Sequence, residues 1–172
     1  MPSPARLTLC GSLSLHAVGT GAAMHLAGYR ALDLPFTYVP FEVTDLRSAI
    51  AGMRALGVRG LGVSMPYKRD VIPLLDALDP LAERVGAVNT VVNDGGRLTG
   101  HNTDAAGAVR AVEEARPLAG ARVLLLGAGG AARAIAHAAA DRGARVTVAN
   151  RSADKARELA AAVGGSAADL GE

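Results

Sequence analysis

Hydrophobic positions along the chain switch between a spacing of two and a helical spacing, and the switching predicts strands alternating with helices. Residues 6–10 (Arg-Leu-Thr-Leu-Cys) alternate polar and apolar, as a first strand does. Residues 12–21, rich in Ser, Gly and Thr, are expected as a loop. Helical spacing runs from Ala22 to Leu32 through Met24, Leu26 and Tyr29, and Pro35 follows as a stop. Residues 36–43 read as a second strand, in which Pro40 points to an edge or a bend. A helix is expected over 45–56, with Asp45 as N-cap and Gly57 as stop. A short strand over 60–63 runs into Ser64-Met65-Pro66-Tyr67-Lys68, and 69–85 is expected to be helical with a break near Pro80. Residues 88–93 and 97–100 flank Asp94-Gly95-Gly96 as a hairpin.

The second stretch changes character. A helix over 104–115 and a Pro/Gly joint over 116–120 precede Arg122-Val-Leu-Leu-Leu126, an apolar run of the kind buried on both faces of a parallel sheet. A glycine turn, an alanine-rich helix over 131–142, a strand over 145–149 and a last helix over 153–163 follow. The pattern is α/β throughout, with a domain boundary expected between 104 and 120.

Composition narrows the function classes. Half of the 172 residues are hydrophobic, enough to bury a real core. Charges nearly cancel, at +2, and the chain has two Phe, three Tyr and no Trp, so neither a basic field nor stacking rings call for nucleic acid. No segment is apolar enough to span a bilayer, and no signal peptide is visible. Cys10 is the only cysteine, which rules out an internal disulfide and fits a reducing, cytoplasmic setting. His16, His25, His101 and His137 show no metal-like spacing, so no metal is expected.

Gly127-Ala128-Gly129-Gly130-Ala131-Ala132 follows the apolar strand and opens a helix, fitting G-x-G-x-x-A. Gly127 permits the tight turn, Gly129 lets a pyrophosphate approach the backbone, and Ala132 keeps helix and sheet close. The helix start, with Ala128, Gly130 and Ala131, offers N–H groups and a positive dipole end to phosphates. The next strand ends in Asn150-Arg151-Ser152, with Lys155 one turn on, where an NAD site usually carries an acid. A guanidinium pairs with a 2′-phosphate that a carboxylate would repel, so the expected cofactor is NADP.

A dehydrogenase of an alcohol also needs a proton acceptor beside the reacting carbon. Lys68, in a turn after a strand, is a candidate, and Asp104, at the head of a helix after Gly100-His101-Asn102-Thr103, is a candidate partner. Taken alone, Lys68 could equally be solvated and Asp104 an N-cap.

These motifs together resemble the shikimate dehydrogenase family. The residues that carry the resemblance are Val63-Ser64-Met65-Pro66-Tyr67-Lys68, Ala87-Val88-Asn89-Thr90, Gly100-His101-Asn102-Thr103-Asp104-Ala105-Ala106-Gly107, the glycine turn and Asn150-Arg151-Ser152. The resemblance implies a Lys68–Asp104 pair in the chemistry, with Ser64 and Asn89 on substrate hydroxyls and Asn150, Arg151, Ser152 and Lys155 on the 2′-phosphate. It implies a three-layer α/β substrate domain over 1–103 and the first part of a Rossmann-type NADP domain over 104–172. The implied reaction is NADP-dependent, reversible reduction of 3-dehydroshikimate to shikimate, in aromatic amino acid biosynthesis. The family's later serines and asparagine fall on Gly19, Gly21 and Leu26, and the residue two before Ser64, usually Asn, is Gly62. The early Ser12-Leu13-Ser14 instead resembles the shikimate dehydrogenase-like subgroup, which implies that Ser12 and Ser14 face the substrate. The family fold continues beyond the elements found here, so the chain is expected to be either a fragment or a naturally short version, with an open sheet edge. Quinate or another cyclitol acid as substrate, and a non-catalytic remnant that binds ligand or pairs into a homodimer, are the alternatives.

Overall fold

The computed structural model describes residues 7–17 and 19–170. Arg6, expected in the first strand, lies outside them. The chain divides into two compact units. One comprises the residues up to Ala82 together with Val88–His101, the other Glu83–Ala87 and the residues from Asn102 onward.

In the first unit β1 (Thr8–Ser14), β2 (Phe36–Glu42), β3 (Gly60–Val63), β4 (Ala77–Leu78), β5 (Thr90–Asp94) and β6 (Arg97–His101) form one sheet in the order β2-β1-β3-β5-β6-β4. β1 runs parallel to β2 and β3, whereas β5 is antiparallel to β3 and β6. β2 is an edge strand, which accommodates Pro40. The turn between β5 and β6 places Gly95 at φ +60° and Gly96 at φ +96°, a conformation that favours glycine at both positions.

β1 extends further than its alternation predicts. Held between two parallel neighbours, it keeps pairing through Ser12, Leu13 and Ser14, so the expected loop begins only after Ser14. Leu13 is 1% exposed and joins Ile50 and Met53 of α2 (Leu46–Ala55) in a core with Leu61, Val63, Val71 and Val91. Asp45 caps α2 as expected, accepting from the Ser48 backbone at 3.1 Å and its hydroxyl at 2.7 Å. Those bonds hold its carboxyl below the usual range. α1 (Thr20–Ala31) starts two residues before the first expected position and packs on β2.

Residues 69–85 do not form a helix with one break. They contain a single 3-10 turn at Ile72–Leu74, then β4, then α3 (Pro80–Val85). The Asp76 carboxylate draws this stretch onto β6 by accepting from Leu98 N at 2.6 Å and from Arg54 at 2.7 Å. A Cβ on Gly100 of β6 would come within 2.6 Å of Leu75, 2.8 Å of Val88 and 2.9 Å of Leu78. Gly100→Ala is therefore expected to cost about 1–3 kcal/mol, read as a lower urea midpoint at unchanged m.

In the second unit β7 (Arg122–Leu126), β8 (Arg145–Ala149) and β9 (Ser166–Ala168) are parallel in the order β7-β8-β9. α5 (Gly130–Asp141) and α6 (Ala153–Ala162) are the crossovers, and α4 (Asp104–Glu113) packs on α5. β9 is absent from the expected elements, because Ser-Ala-Ala carries no strand signal. Ala136, Ala139, Val146, Val148, Ala156 and Leu159 form the core, small residues letting helix and sheet approach closely. β7 departs from its prediction. α5 and α6 cover the face that carries Leu125, while Leu124 and Leu126 are 64% and 68% exposed.

His137 of α5 is 8% exposed and its Nε2 has no hydrogen-bond partner among the described residues. Burial, with Arg84 and Arg133 nearby, lowers its pKa below the ordinary 6.5, and Asp141 opposes this only in part. The fold thus holds His137 neutral. Its contribution to stability is complete above about pH 6.5 and is lost as pH falls through the depressed value. His137→Gln is expected to flatten the fall in unfolding free energy on acidification, followed by urea titration at several pH values.

Candidate functional site

The expected polar residues of the first unit collect at one end of its sheet. Ser12 and Ser14 lie near the carboxyl end of β1, and Ser12 pairs in register with Gly62 of β3. Ser64 follows β3 directly, and its N–H donates to the Leu13 carbonyl at 2.9 Å, which fixes it beside the two β1 serines. Ser64 O then accepts from Tyr67 N at 3.0 Å, closing a turn that contains the cis Met65–Pro66 bond. Tyr67, 8% exposed, anchors this turn by donating its hydroxyl to the Val43 carbonyl at 2.5 Å.

Lys68 comes next, half-buried, and its carbonyl accepts from Val88 N at 2.8 Å. Asn89 is held on both sides: its N–H donates to His101 O at 3.0 Å and its carbonyl accepts from Val63 N at 2.7 Å. Its Oδ1 accepts from the Thr90 hydroxyl at 3.0 Å. The carboxyl ends of parallel strands are where open α/β sheets place their ligands. Tyr38 joins the group although no motif marked it. A Cβ built on Gly62 would lie 3.3 Å from the Tyr38 hydroxyl and 3.5 Å from Ser12 Cβ. His25 stacks on the Tyr38 ring at 4.3 Å. The alternation of β2 was the available signal, since it puts Tyr38 and Pro40 on one face with Phe36. An apolar cavity of about 230 Å³ lies behind the sheet against α2, lined by Leu13, Met53 and Leu61, and none of the expected polar residues lines it.

In the second unit Asp104 is the first residue of α4, half-buried, rather than its N-cap. The cap position is Thr103, and the buried Asn102 side chain supplies the capping bond, accepting from Ala105 N at 3.3 Å.

The glycine turn has the form its sequence requires. Gly127 takes φ +110°, and its N–H donates to Ala149 O at 2.7 Å, tying the turn to the end of β8. Gly129 is the N-cap of α5 without a side-chain cap, and a Cβ there would meet nothing within 4 Å. The helix start is therefore open to a ligand. Ala128, Gly129, Asn150, Arg151, Ser152 and Lys155 line one cleft of about 480 Å³, while Gly127, Gly130 and Ala131 belong to the same turn and first helical residues. Asn150 Nδ2 donates to Ser152 O at 3.0 Å, shaping the loop after β8. Among the described residues no carboxylate lines this cleft, and the nearest acid in sequence, Asp154, pairs with Arg157 at 2.6 Å. Arg151 and Lys155 are exposed and, among the described residues, have no ion-pair partner. The cleft thus presents two cations and an uncapped helix N-terminus, features whose charge is complementary to an anion.

Parallel strands joined by helical crossovers, with the glycine turn at the first crossover, define a Rossmann-type α/β protein. Residues 18–91 match the family model for the shikimate dehydrogenase substrate binding domain, and residues 110–171 that for shikimate / quinate 5-dehydrogenase. The chain belongs to the shikimate dehydrogenase family. It is 49% identical over 140 residues to a shikimate dehydrogenase (NADP(+)) of Carboxydothermus hydrogenoformans, a match covering 80% of this chain and 50% of that protein. The shikimate complex of shikimate 5-dehydrogenase from Thermus thermophilus superposes with a TM-score of 0.87 at 36% identity, over 95% of this chain and 63% of that one. The ligand-free 5-ketofructose reductase of a Gluconobacter strain gives 0.84 at 37%, over 96% and 62%. The chain spans about half the length of the curated relatives it matches.

Proposed function

We propose that this chain carries the substrate-binding part, residues 1–103, and the first part of the cofactor-binding domain, residues 104–172, of an NADP-dependent shikimate dehydrogenase. The carrying observation is the acid-free cleft of about 480 Å³ at an uncapped helix start, with Arg151 and Lys155 on its wall. Gly127 makes the turn, and Ala128, Gly129, Gly130 and Ala131 receive the pyrophosphate through backbone N–H groups. Asn150, Arg151, Ser152 and Lys155 hold the 2′-phosphate. When bound, the dinucleotide supplies hydride exchange with the substrate carbon.

Oxidising a secondary alcohol removes a hydride from carbon and a proton from oxygen. The proton passes to the Lys68 amine nitrogen and returns from it in the reductive direction. Asp104 accepts a hydrogen bond from a substrate hydroxyl, and Ser12, Ser14, Ser64 and Asn89 bind the remaining hydroxyls and the carboxylate. The substrate is a 3-dehydroshikimate-like ring in the cytoplasm, in the synthesis of aromatic amino acids. Gly62 favours a second reading in substrate choice alone, because it carries no polar side chain that would discriminate among hydroxyls, and the Tyr38 hydroxyl lies 3.3 Å from where its Cβ would be. The exposed face of β7 supports pairing of two copies.

The test is calorimetry with the phosphorylated and unphosphorylated dinucleotides, and turnover of shikimate and quinate with NADP+ and NAD+ and of 5-ketofructose with NADPH and NADH. Preference for the phosphorylated dinucleotide together with shikimate supports the proposal. Preference for another polyol moves the substrate assignment, and absence of any dinucleotide binding ends it.

A further inference from the structure

Residues 85–89 are held by backbone and side-chain bonds at nearly every step. Arg133 of α5, four residues into the helix after the glycine turn, donates Nε–H to the Val85 carbonyl at 3.0 Å. Its side chain is 13% exposed, and its other arm pairs with Glu158 of α6 at 3.0 Å. Its guanidinium lies over Gly86, where a Cβ would be 3.9 Å from Nε and from Nη2, and Gly86 sits at φ +65°. Asn102 Nδ2 donates to the Ala87 carbonyl at 2.9 Å. Val88 N–H then donates to Lys68 O at 2.8 Å, and Asn89 bonds to His101 and Val63.

Val85, Ala87 and Val88 are fully buried, so water does not reach these groups. A buried carbonyl left without a donor is costly, and Arg133 supplies the donor at Val85. Neither the motifs nor the family comparison assigns Arg133 a role. The bond fixes the chain three residues ahead of Val88 and four ahead of Asn89, two consecutive residues that bond to Lys68 and to the strands around the serines.

We propose that Arg133 is a positioning residue for substrate. By holding Val85 and the left-handed turn at Gly86, it sets the path of the chain that delivers Val88 to Lys68 and Asn89 to β3 and β6. The consequence for ligand rests on the reading above, that Lys68 and Asn89 meet substrate; the consequence for the backbone does not.

The test compares Arg133→Met, which keeps the apolar stem and removes every donor, with Arg133→Lys, which keeps the charge and a donor. Hydrogen exchange is read in the 172-residue chain, together with affinities for shikimate and NADPH. In Arg133→Met the amides of Val88 and Asn89 are expected to exchange about tenfold faster or more, while those of Val146 and Val148 are unchanged. Shikimate affinity falls about tenfold and NADPH affinity by less than about twofold, with Arg133→Lys recovering part of both losses. Unchanged exchange at Val88 and Asn89 overturns the proposal, as does an equal rise through α5, α6 and β8, which would mark simple destabilisation. Should Arg133→Met fail to fold, the same two outcomes are read in Arg133→Lys. If exchange changes as expected but the unsubstituted chain binds no shikimate, the positioning role stands and the substrate reading falls.

Discussion

Lys68→Met is expected to lower turnover of shikimate with NADP+ by roughly a thousandfold, with NADPH affinity changed by less than about twofold. Methionine matches lysine in length and apolar stem, so the turn from Ser64 to Lys68 should survive. That turn is secured by Tyr67, whose hydroxyl bonds Val43, and by the Lys68 backbone carbonyl, which accepts from Val88. None of these bonds uses the ammonium. In the proposed mechanism Lys68 supplies the nitrogen that takes the alcohol proton, so the loss should appear in kcat more than in dinucleotide affinity. Lys68→Arg is expected to rescue little, because a guanidinium keeps its proton throughout the accessible pH range. Steady-state kinetics with a parallel NADPH titration checks this. Retention of near-normal kcat in Lys68→Met removes lysine from the proton path.

Arg151→Ala should weaken NADPH by about 10- to 100-fold and leave NADH within about twofold. The difference between the two dinucleotides is a single phosphate, and Arg151 lines the cleft in which that phosphate would lie beside Asn150, Ser152 and Lys155. A planar guanidinium grips phosphate with two bonds, whereas Lys155 contributes a point charge. Lys155→Ala should thus cost less than Arg151→Ala. Both losses should shrink as salt rises, because the two cations are exposed. Calorimetry with both dinucleotides at two ionic strengths measures this. Equal weakening of NADH and NADPH would show that Arg151 acts on something other than the distinguishing phosphate.

Much of the cleft at the start of α5 was legible in sequence because its residues answer local demands. Gly127 needs a left-handed φ, Gly129 needs clear space, and Asn150 to Lys155 follow one strand without interruption. The hairpin at Gly95-Gly96, the edge position of β2 and the cap at Asp45 are local in the same way. The failures are non-local. Ser12 to Ser14 look like a loop until two parallel neighbours pair with them. Residues 75–78 look helical until Asp76 takes the Leu98 amide. β9 forms because β8 presents a free edge to Ser166–Ala168, not because those residues favour strands. β7 has the composition of a doubly buried strand, but burial depends on what packs above it, and here both helices cover one face. The bond between Arg133 and Val85 spans 48 positions and leaves no periodic trace.

The most direct single measurement is residue-resolved NMR of the 172-residue chain titrated with NADP+ and then shikimate. The account predicts that the dinucleotide shifts the amides of Gly127 to Ala131 and Asn150 to Lys155, and that shikimate then shifts Ser12, Ser14, Ser64, Lys68 and Asn89. Saturating ligand that leaves both sets unmoved, or that moves residues elsewhere in the chain, would contradict it.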